Sequence, residues 1–172
     1  MARRINALII EFDSRQELYR VIAKIAVNTL LLSNSIRRDT TLRIIILKTK
    51  EELVLEGGRI RNLRPDEESS IGLIKSFFKK KLVKKITSEH SINIDKPCIE
   101  YNCTGRLLEE ELKKLCLSRG FTIVYPEDNG YIFRHCKDTI RIPYITSIVE
   151  AVVIGGLMLD WCEWRGCFGE SL

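Results

Sequence analysis

The run Leu42-Arg43-Ile44-Ile45-Ile46-Leu47 constrains the fold more than any other stretch, because it is short, β-branched and almost unbroken in its apolar character. A strand that is apolar on both sides of its pleat has to be covered on both faces, which is the position of a strand inside a parallel sheet. Arg4-Ile5-Asn6-Ala7-Leu8-Ile9-Ile10-Glu11-Phe12 is a second compact run of strand length. Between the two, Leu18, Val21, Ile22, Ile25, Val27, Leu30 and Leu31 recur at spacings of three and four, which predicts a helix with one buried face. Asp13 or Ser14 is placed to cap that helix, and Ser33-Asn34-Ser35 to end it.

Further along, Glu52 to Arg61 reads as a hairpin turning at Gly57-Gly58. Pro65 followed by Asp66-Glu67-Glu68 opens a second helix, with Lys79-Lys80-Lys81 and Lys84-Lys85 toward its end, as the helix dipole favours. The polar stretch from His90 to Lys96, ahead of Pro97, is the expected joint between two halves. After it come a short strand at Cys98-Ile99-Glu100-Tyr101, a helix from Leu107 to Leu117 and a strand at Phe121-Thr122-Ile123-Val124-Tyr125. Asp128-Asn129-Gly130 is a turn, Tyr131-Ile132-Phe133 and Thr139-Ile140-Arg141-Ile142 flank a hairpin-like insertion, and an apolar helix from about Tyr144 to Trp161 closes the series. Strands alternating with helices imply an α/β fold with a mainly parallel sheet flanked by helices, in a single domain over 1–172.

Charge is divided along the chain. Residues 1–96 hold 20 lysines and arginines against 12 acids, a surplus of eight, while residues 97–172 hold 8 against 11, a deficit of three. A basic first half is what a surface facing a polyanion needs. No apolar run reaches the roughly 18 residues of a membrane span; Ile140 to Leu159 is interrupted by Arg141, Pro143, Glu150 and Gly155-Gly156. With no cleavable leader pattern behind Met1-Ala2-Arg3-Arg4, a soluble, cytoplasmic protein is expected. The six cysteines, Cys98, Cys103, Cys116, Cys136, Cys162 and Cys167, contain no C-x-x-C pair, so no metal site is expected and most are read as reduced, buried thiols. A disulfide inside a cell is expected only in a chain from a hyperthermophile.

The sequence has no G-x-G-x-x-G, no P-loop lysine motif, no G-x-S-x-G elbow and no H-E-x-x-H pair, which argues against nucleotide-fold, hydrolase and zinc-peptidase chemistry. His135 and Cys136 are neighbours, but adjacent side chains on a strand point to opposite faces. What stands out is Ser33-Asn34-Ser35-Ile36-Arg37-Arg38-Asp39, two arginines and an aspartate in a loop between a buried helix and a buried strand. Arginine forks match phosphate geometry, and a carboxylate beside them can orient an arginine or meet a base edge. A solvated charge cluster at a helix end is the plainer reading of the same residues. Arg59, Arg61 and Arg64 add cations ahead of Pro65.

Two segments taken together, Val27-Asn28-Thr29-Leu30-Leu31-Leu32-Ser33-Asn34-Ser35-Ile36-Arg37-Arg38-Asp39 and Glu56-Gly57-Gly58-Arg59-Ile60-Arg61-Asn62-Leu63-Arg64-Pro65-Asp66-Glu67-Glu68-Ser69, resemble the archaeal TrmY family of tRNA pseudouridine N1-methyltransferases. The likeness spans about residues 20–76. It implies a SPOUT-type α/β fold with a C-terminal trefoil knot and S-adenosylmethionine as methyl donor. It also implies a homodimer that methylates N1 of pseudouridine at position 54 of tRNA, with no metal. On this resemblance Asp39 and Arg38 are the catalytic candidates, and Asn28, Arg37, Arg59, Arg61 and Arg64 the RNA-binding ones. Residues 1–96 become the RNA-facing half, and 97–172 the cofactor-binding, knotted and dimerising half. Asp66 and Glu67 match the second motif, as helix caps or as chemistry.

The second half departs from the family's pattern. Where the family has a Gly-Asp-His-x-Gly-like cofactor loop, this chain has Tyr101-Asn102-Cys103-Thr104-Gly105, and Glu150-Ala151 stands where the family carries a His-Cys pair. The second cofactor loop corresponds either to Arg141-Ile142-Pro143-Tyr144 or to Val124-Tyr125-Pro126. The cofactor candidates are therefore Tyr101, Asn102, Gly105, Ile142, Pro143 and Ala151. The altered loops also fit a SPOUT-like RNA-binding protein without catalysis, or an enzyme with another methyl acceptor.

Overall fold

A computed structural model describes residues 2–32, 35–87, 94–101, 103, 105–107, 109–126, 136 and 138–164. The elements follow in the order β1 (Arg3–Ile9), α1 (Arg15–Leu30), β2 (Thr40–Ile46), β3 (Glu51–Glu56), α2 (Glu67–Lys79), β4 (Lys84–Lys85), β5 (Cys98–Glu100), α3 (Glu109–Ser118), β6 (Gly120–Tyr125), β7 (Thr139–Arg141) and α4 (Ile148–Trp164). One sheet holds all of these strands in the order β4-β3-β2-β1-β6-β5-β7. The five from β2 to β7 run parallel, and β3 and β4 add an antiparallel edge. This is the mainly parallel α/β sheet that the alternation of elements predicts.

β1 lies at the centre and is buried along almost its whole length, as is the Ile44-Ile45-Ile46 run of β2 beside it. Their larger face carries Ile5, Ala7, Ile9, Leu42, Ile44 and Ile46 into the main core, with Leu18, Ile22, Ile25 and Leu30 of α1 packed over them. α1 packs against α2, β2 and α4, and α4 against α1, α3 and β6. A smaller cluster of Leu8, Ile45, Ile94, Cys98 and Val124 covers the other face. Ser14 caps α1 by accepting from the Glu17 amide at 3.1 Å, and Asp66 caps α2 by accepting from the Ser69 amide at 2.8 Å. Of the two roles open to Asp66, the cap is the one its side chain fills.

Several expectations need correction. The hairpin turns at residues 47–50, between β2 and β3, and not at Gly57-Gly58, because β3 pairs back along β2 with Ile46 opposite Glu51 and Thr41 opposite Glu56. Lys84 and Lys85 do not belong to the second helix; they form a two-residue edge strand against Glu52 and Glu51, where lysines also guard the open edge. β7 pairs in parallel with β5, and 131–133, the other flank of the expected hairpin-like insertion, lies outside the described residues. The joint at 90–96 falls partly, and the turn at 128–130 wholly, outside the described residues, as does the path of 127–135 on which the expected knot depends.

The cysteines are also corrected. Cys98, Cys116 and Cys162 are buried as expected and Cys136 is half-buried, but Cys98–Cys136 and Cys116–Cys162 are disulfides, with Cα–Cα separations of 5.9 and 5.4 Å. The partners lie 38 and 46 residues apart, so only tertiary packing, of α3 on α4 and of the approach to β7 beside β5, brings them together. Cys103 is a free thiol, and Cys167 lies outside the described residues.

Candidate RNA and cofactor site

The two motif segments meet at the end of the sheet where β1 and β2 begin. α1 ends at Leu30, the Arg37 amide returns a 2.7 Å hydrogen bond to the Leu30 carbonyl, and Thr40 then pairs with Arg3. This tight return presents Arg37, Arg38 and Asp39 at the entrance of β2. The end of β3 arrives beside them: the Gly57 amide donates to the Thr40 carbonyl at 2.9 Å, and a Cβ on Gly57 would lie 1.9 Å from the Arg37 carbonyl oxygen. Only glycine allows so close an approach. Beyond it Arg59, Arg61 and Arg64 are exposed, as is Arg38. Arg59 pairs with Glu56 at 3.0 Å.

Arg37 is turned inward. Its two terminal nitrogens grip both oxygens of Asp160 on α4, at 2.6 and 2.7 Å. Arg3, only 6% exposed, donates to the same carboxylate at 2.6 Å and holds Glu163 through two further nitrogens; Asp39 lies 3.8 Å from its Nε. Burial pushes the Asp160 carboxyl up, but hydrogen bonds and charge from Arg37 and Arg3 outweigh it and hold the group below the usual carboxylate range. The hydrogen bond from Arg3 holds Glu163 low against the opposing effect of burial. Burial works against the Arg3 charge, and the two carboxylates overcome it and raise its affinity for the proton.

Beside this cluster is a cavity of about 610 Å³ between the end of α1, the middle of α4 and the loop before β2. Asn28 lines it, with its amide donating to the Lys24 carbonyl at 2.8 Å, and so do Arg3, Thr29 and Arg37. Arg3, Thr29, Asp160 and Glu163 escape the sequence reading. A signal for Glu163 does exist: a carboxylate in the last turn of a helix opposes its dipole and so calls for cations nearby.

The residues expected to hold a cofactor lie at the other end of the parallel strands. The loops that follow β5 and β7 are tied together there, with the Ile142 amide donating to the Glu100 carbonyl at 2.9 Å and the Tyr144 amide to the Cys103 carbonyl at 3.2 Å. Tyr101 is buried, its hydroxyl donating to the Val124 carbonyl at 3.1 Å. Gly105 is exposed at φ +130°, with open space where a Cβ would stand. Ile142 is buried, Pro143 half-buried, and Ala151 fully buried within the core. Asn102 lies outside the described residues. Ligands of parallel α/β sheets bind beyond the carboxyl ends of the strands, where these loops are. β1 spans seven residues, so the two groups of candidates are separated by roughly 20 Å within one chain. Among the described residues no group of three His, Cys, Asp or Glu side chains is placed to hold a metal ion, and no helix is long and apolar enough to cross a membrane.

No protein-family model matches the chain, and none of the curated proteins matches it. Among solved structures it is similar to Nep1 of Archaeoglobus fulgidus, determined bound to S-adenosylhomocysteine. The TM-score is 0.57 at 11% identity, over 94% of this chain and 100% of that one. At that identity the likeness is one of fold alone: a mainly parallel α/β sheet flanked by helices, shared over nearly the whole chain.

Proposed function

We propose that this protein is an S-adenosylmethionine-dependent RNA methyltransferase of the TrmY kind, methylating N1 of pseudouridine at position 54 of tRNA as a cytoplasmic homodimer. The observation that carries the reading is the SPOUT-type fold, shared over nearly the whole chain with a protein that binds S-adenosylhomocysteine. The basic end of the sheet supports it independently, since both motif segments converge there with Arg38, Arg59, Arg61 and Arg64 exposed.

One observation supports cofactor binding at the loops after β5 and β7: Gly105 is exposed, with nothing within 4 Å of where a Cβ would stand, so a ligand can come close to its backbone. Tyr101, Gly105, Ile142 and Pro143 would hold the cofactor, with Asn102 from the same loop, while buried Ala151 backs them from the core. When bound, the cofactor supplies a methyl group on a positively charged sulfur. Asp39 accepts the proton that leaves N1, and Arg38 holds the neighbouring phosphate so that the nitrogen stays in line. Arg59, Arg61 and Arg64 take phosphates further along the RNA. Arg37 reaches a phosphate only by releasing Asp160.

The roughly 20 Å between the two ends of β1 argues for two copies, the Arg38–Asp39 end of one meeting the cofactor loops of the other. The unusual side chains of residues 101–105 favour a second reading, an RNA-binding relative without methyl transfer or with another acceptor. Incubation with methyl-labelled S-adenosylmethionine and tRNA carrying pseudouridine or uridine at position 54 separates these readings. N1-methylpseudouridine from the first tRNA alone is expected; no label in either, from folded protein that binds tRNA, would establish the second reading.

A further inference from the structure

The fold accounts for the lysines that follow α2 only in part. Lys79 and Lys80 suit the C-terminal end of the helix dipole, and Lys84 and Lys85 guard the edge of the sheet. The acids opposite them on β3 are already matched, Glu51 by Lys85 at 3.0 Å and Arg15 at 3.2 Å, and Glu52 by Arg43. Lys79, Lys80, Lys81 and Lys84 are exposed and form no ion pair among the described residues, so their charges face solvent together.

Lys81 serves neither the dipole nor the edge. The amides of Lys81 and Leu82 donate to the Phe78 and Phe77 carbonyls at 3.2 and 3.1 Å, closing α2 in the turn whose left-handed residue is usually glycine. Lys81 fills that position at φ +55°, where a side chain costs stability and glycine would not. Lys50 repeats the pattern at φ +52° in the turn between β2 and β3, and its carbonyl accepts from the Ile86 amide just beyond β4 at 2.8 Å. At two neighbouring places the chain carries a cation where its backbone favours glycine. Strain repeated with the same charge points to a use for the charge.

The patch lies away from the arginines already assigned. α2 spans 13 residues, roughly 20 Å, with Arg64 and Pro65 ahead of its first turn and Lys80 past its last. Between these ends Ser69 and Gly72 are exposed, and nothing lies within 4 Å of where a Gly72 Cβ would stand, so a run of phosphates can follow the helix closely. Leu82, at 55% exposure, is the one large apolar side chain displayed within 79–85, too little for a face that sinks into a membrane.

We infer that Lys50, Lys80, Lys81 and Lys84 form a second phosphate-binding surface, which takes the backbone of a folded RNA roughly 20 Å from the nucleotide at the arginine end. The inference rests on the RNA reading above and deepens it: the substrate is an RNA long enough to reach both ends of α2, and this end holds it without reading sequence.

Fluorescence anisotropy of the full chain with a labelled tRNA transcript, between about 50 and 200 mM salt, tests it. The Lys80→Gln, Lys81→Gln, Lys84→Gln variant binds about tenfold or more weakly, and its slope of log affinity against log salt is smaller by roughly two to three. Arginine at the same three positions restores both. Lys81→Gly separates binding from folding: its melting temperature is unchanged or higher, while its affinity falls and its salt slope shrinks by about one. Wild-type affinity and slope in the glutamine variant, or a loss that arginine does not restore, would overturn the inference. So would a glutamine variant that keeps its tRNA affinity but no longer binds phosphatidylserine vesicles, which would assign the surface to a membrane. Methyl transfer to tRNA alongside lysines that leave affinity unmoved would sink only this inference. Lysine-dependent tRNA binding by a chain that takes up no S-adenosylmethionine would preserve it and remove the methyltransferase reading.

Discussion

Asp160 holds two arginines at once, and this makes it the residue on which the entrance of β2 depends. Replacing it with Asn removes a charged acceptor from Arg37 and from buried Arg3. Asp160→Asn should lower stability by about 2 kcal/mol, read from urea unfolding, as expected when hydrogen bonds to charged groups are lost. The acid limb of stability belongs to the same cluster. Asp160 and Glu163 are held below the carboxylate range in the folded state, so their contribution is complete above the unfolded values and disappears as the pH falls through the folded ones. Stability should therefore decline below roughly pH 4, and less steeply in the Asp160→Asn, Glu163→Gln double variant. An identical slope in the double variant would mean that other carboxylates govern it. Arg37, Arg38 and Asp39 stand out in the sequence because they form one charged run between two apolar ones. Arg3, Asp160 and Glu163 do not, since their partners lie about 160 residues away along the chain for Arg3 and Glu163.

At the level of elements, the closest packing is where β3 leaves the sheet. A Cβ on Gly57 would lie 1.9 Å from the Arg37 carbonyl oxygen, whereas one on Gly58 comes no nearer than 3.3 Å to that of Arg38. Gly57→Ala should destabilise by about 3 kcal/mol or more, because backbone cannot give way as a side chain can, and Gly58→Ala by less than about 1. Equal losses in urea unfolding would contradict the packing. The sequence exposed this glycine pair but not its purpose: a turn and a close approach draw on the same residue type, and only the register of β3 on β2 decides between them. The helices with clear periodicity were legible, and so were the long buried strands. The two-residue β4 and three-residue β5 and β7 carry too few side chains to show alternation. Cysteine pairing is likewise a tertiary fact. Cys98–Cys136 and Cys116–Cys162 close loops that each stabilise by roughly 3–4 kcal/mol in the chain-entropy account. Peptide mapping without reductant should recover both pairs, and reduction should lower the melting temperature.

Over the whole molecule, the separation between the arginine end and the loops after β5 and β7, where we propose the cofactor binds, is the feature with the largest consequence. One chain does not bring Asp39 to Gly105, and two chains facing one another can. Leu32 at 44%, Ile154 at 36% and Leu157 at 55% exposure leave apolar surface beside the arginine end for such a contact. Equal amounts of an Asp39→Ala and a Gly105→Leu chain, each inactive alone, should recover about a quarter of wild-type methyl transfer when subunits exchange, since half the dimers regain one intact site of two. No recovery, with exchange demonstrated, would mean that each chain carries a complete site. All of this depends on the loops after β5 and β7 taking up the methyl donor despite their altered side chains. Isothermal titration of the folded chain with S-adenosylmethionine, with S-adenosylhomocysteine alongside, tests that most directly. The account predicts saturable micromolar binding of about one molecule per chain, abolished by Gly105→Leu. No heat from either ligand, with the melting temperature unchanged by both, would contradict it.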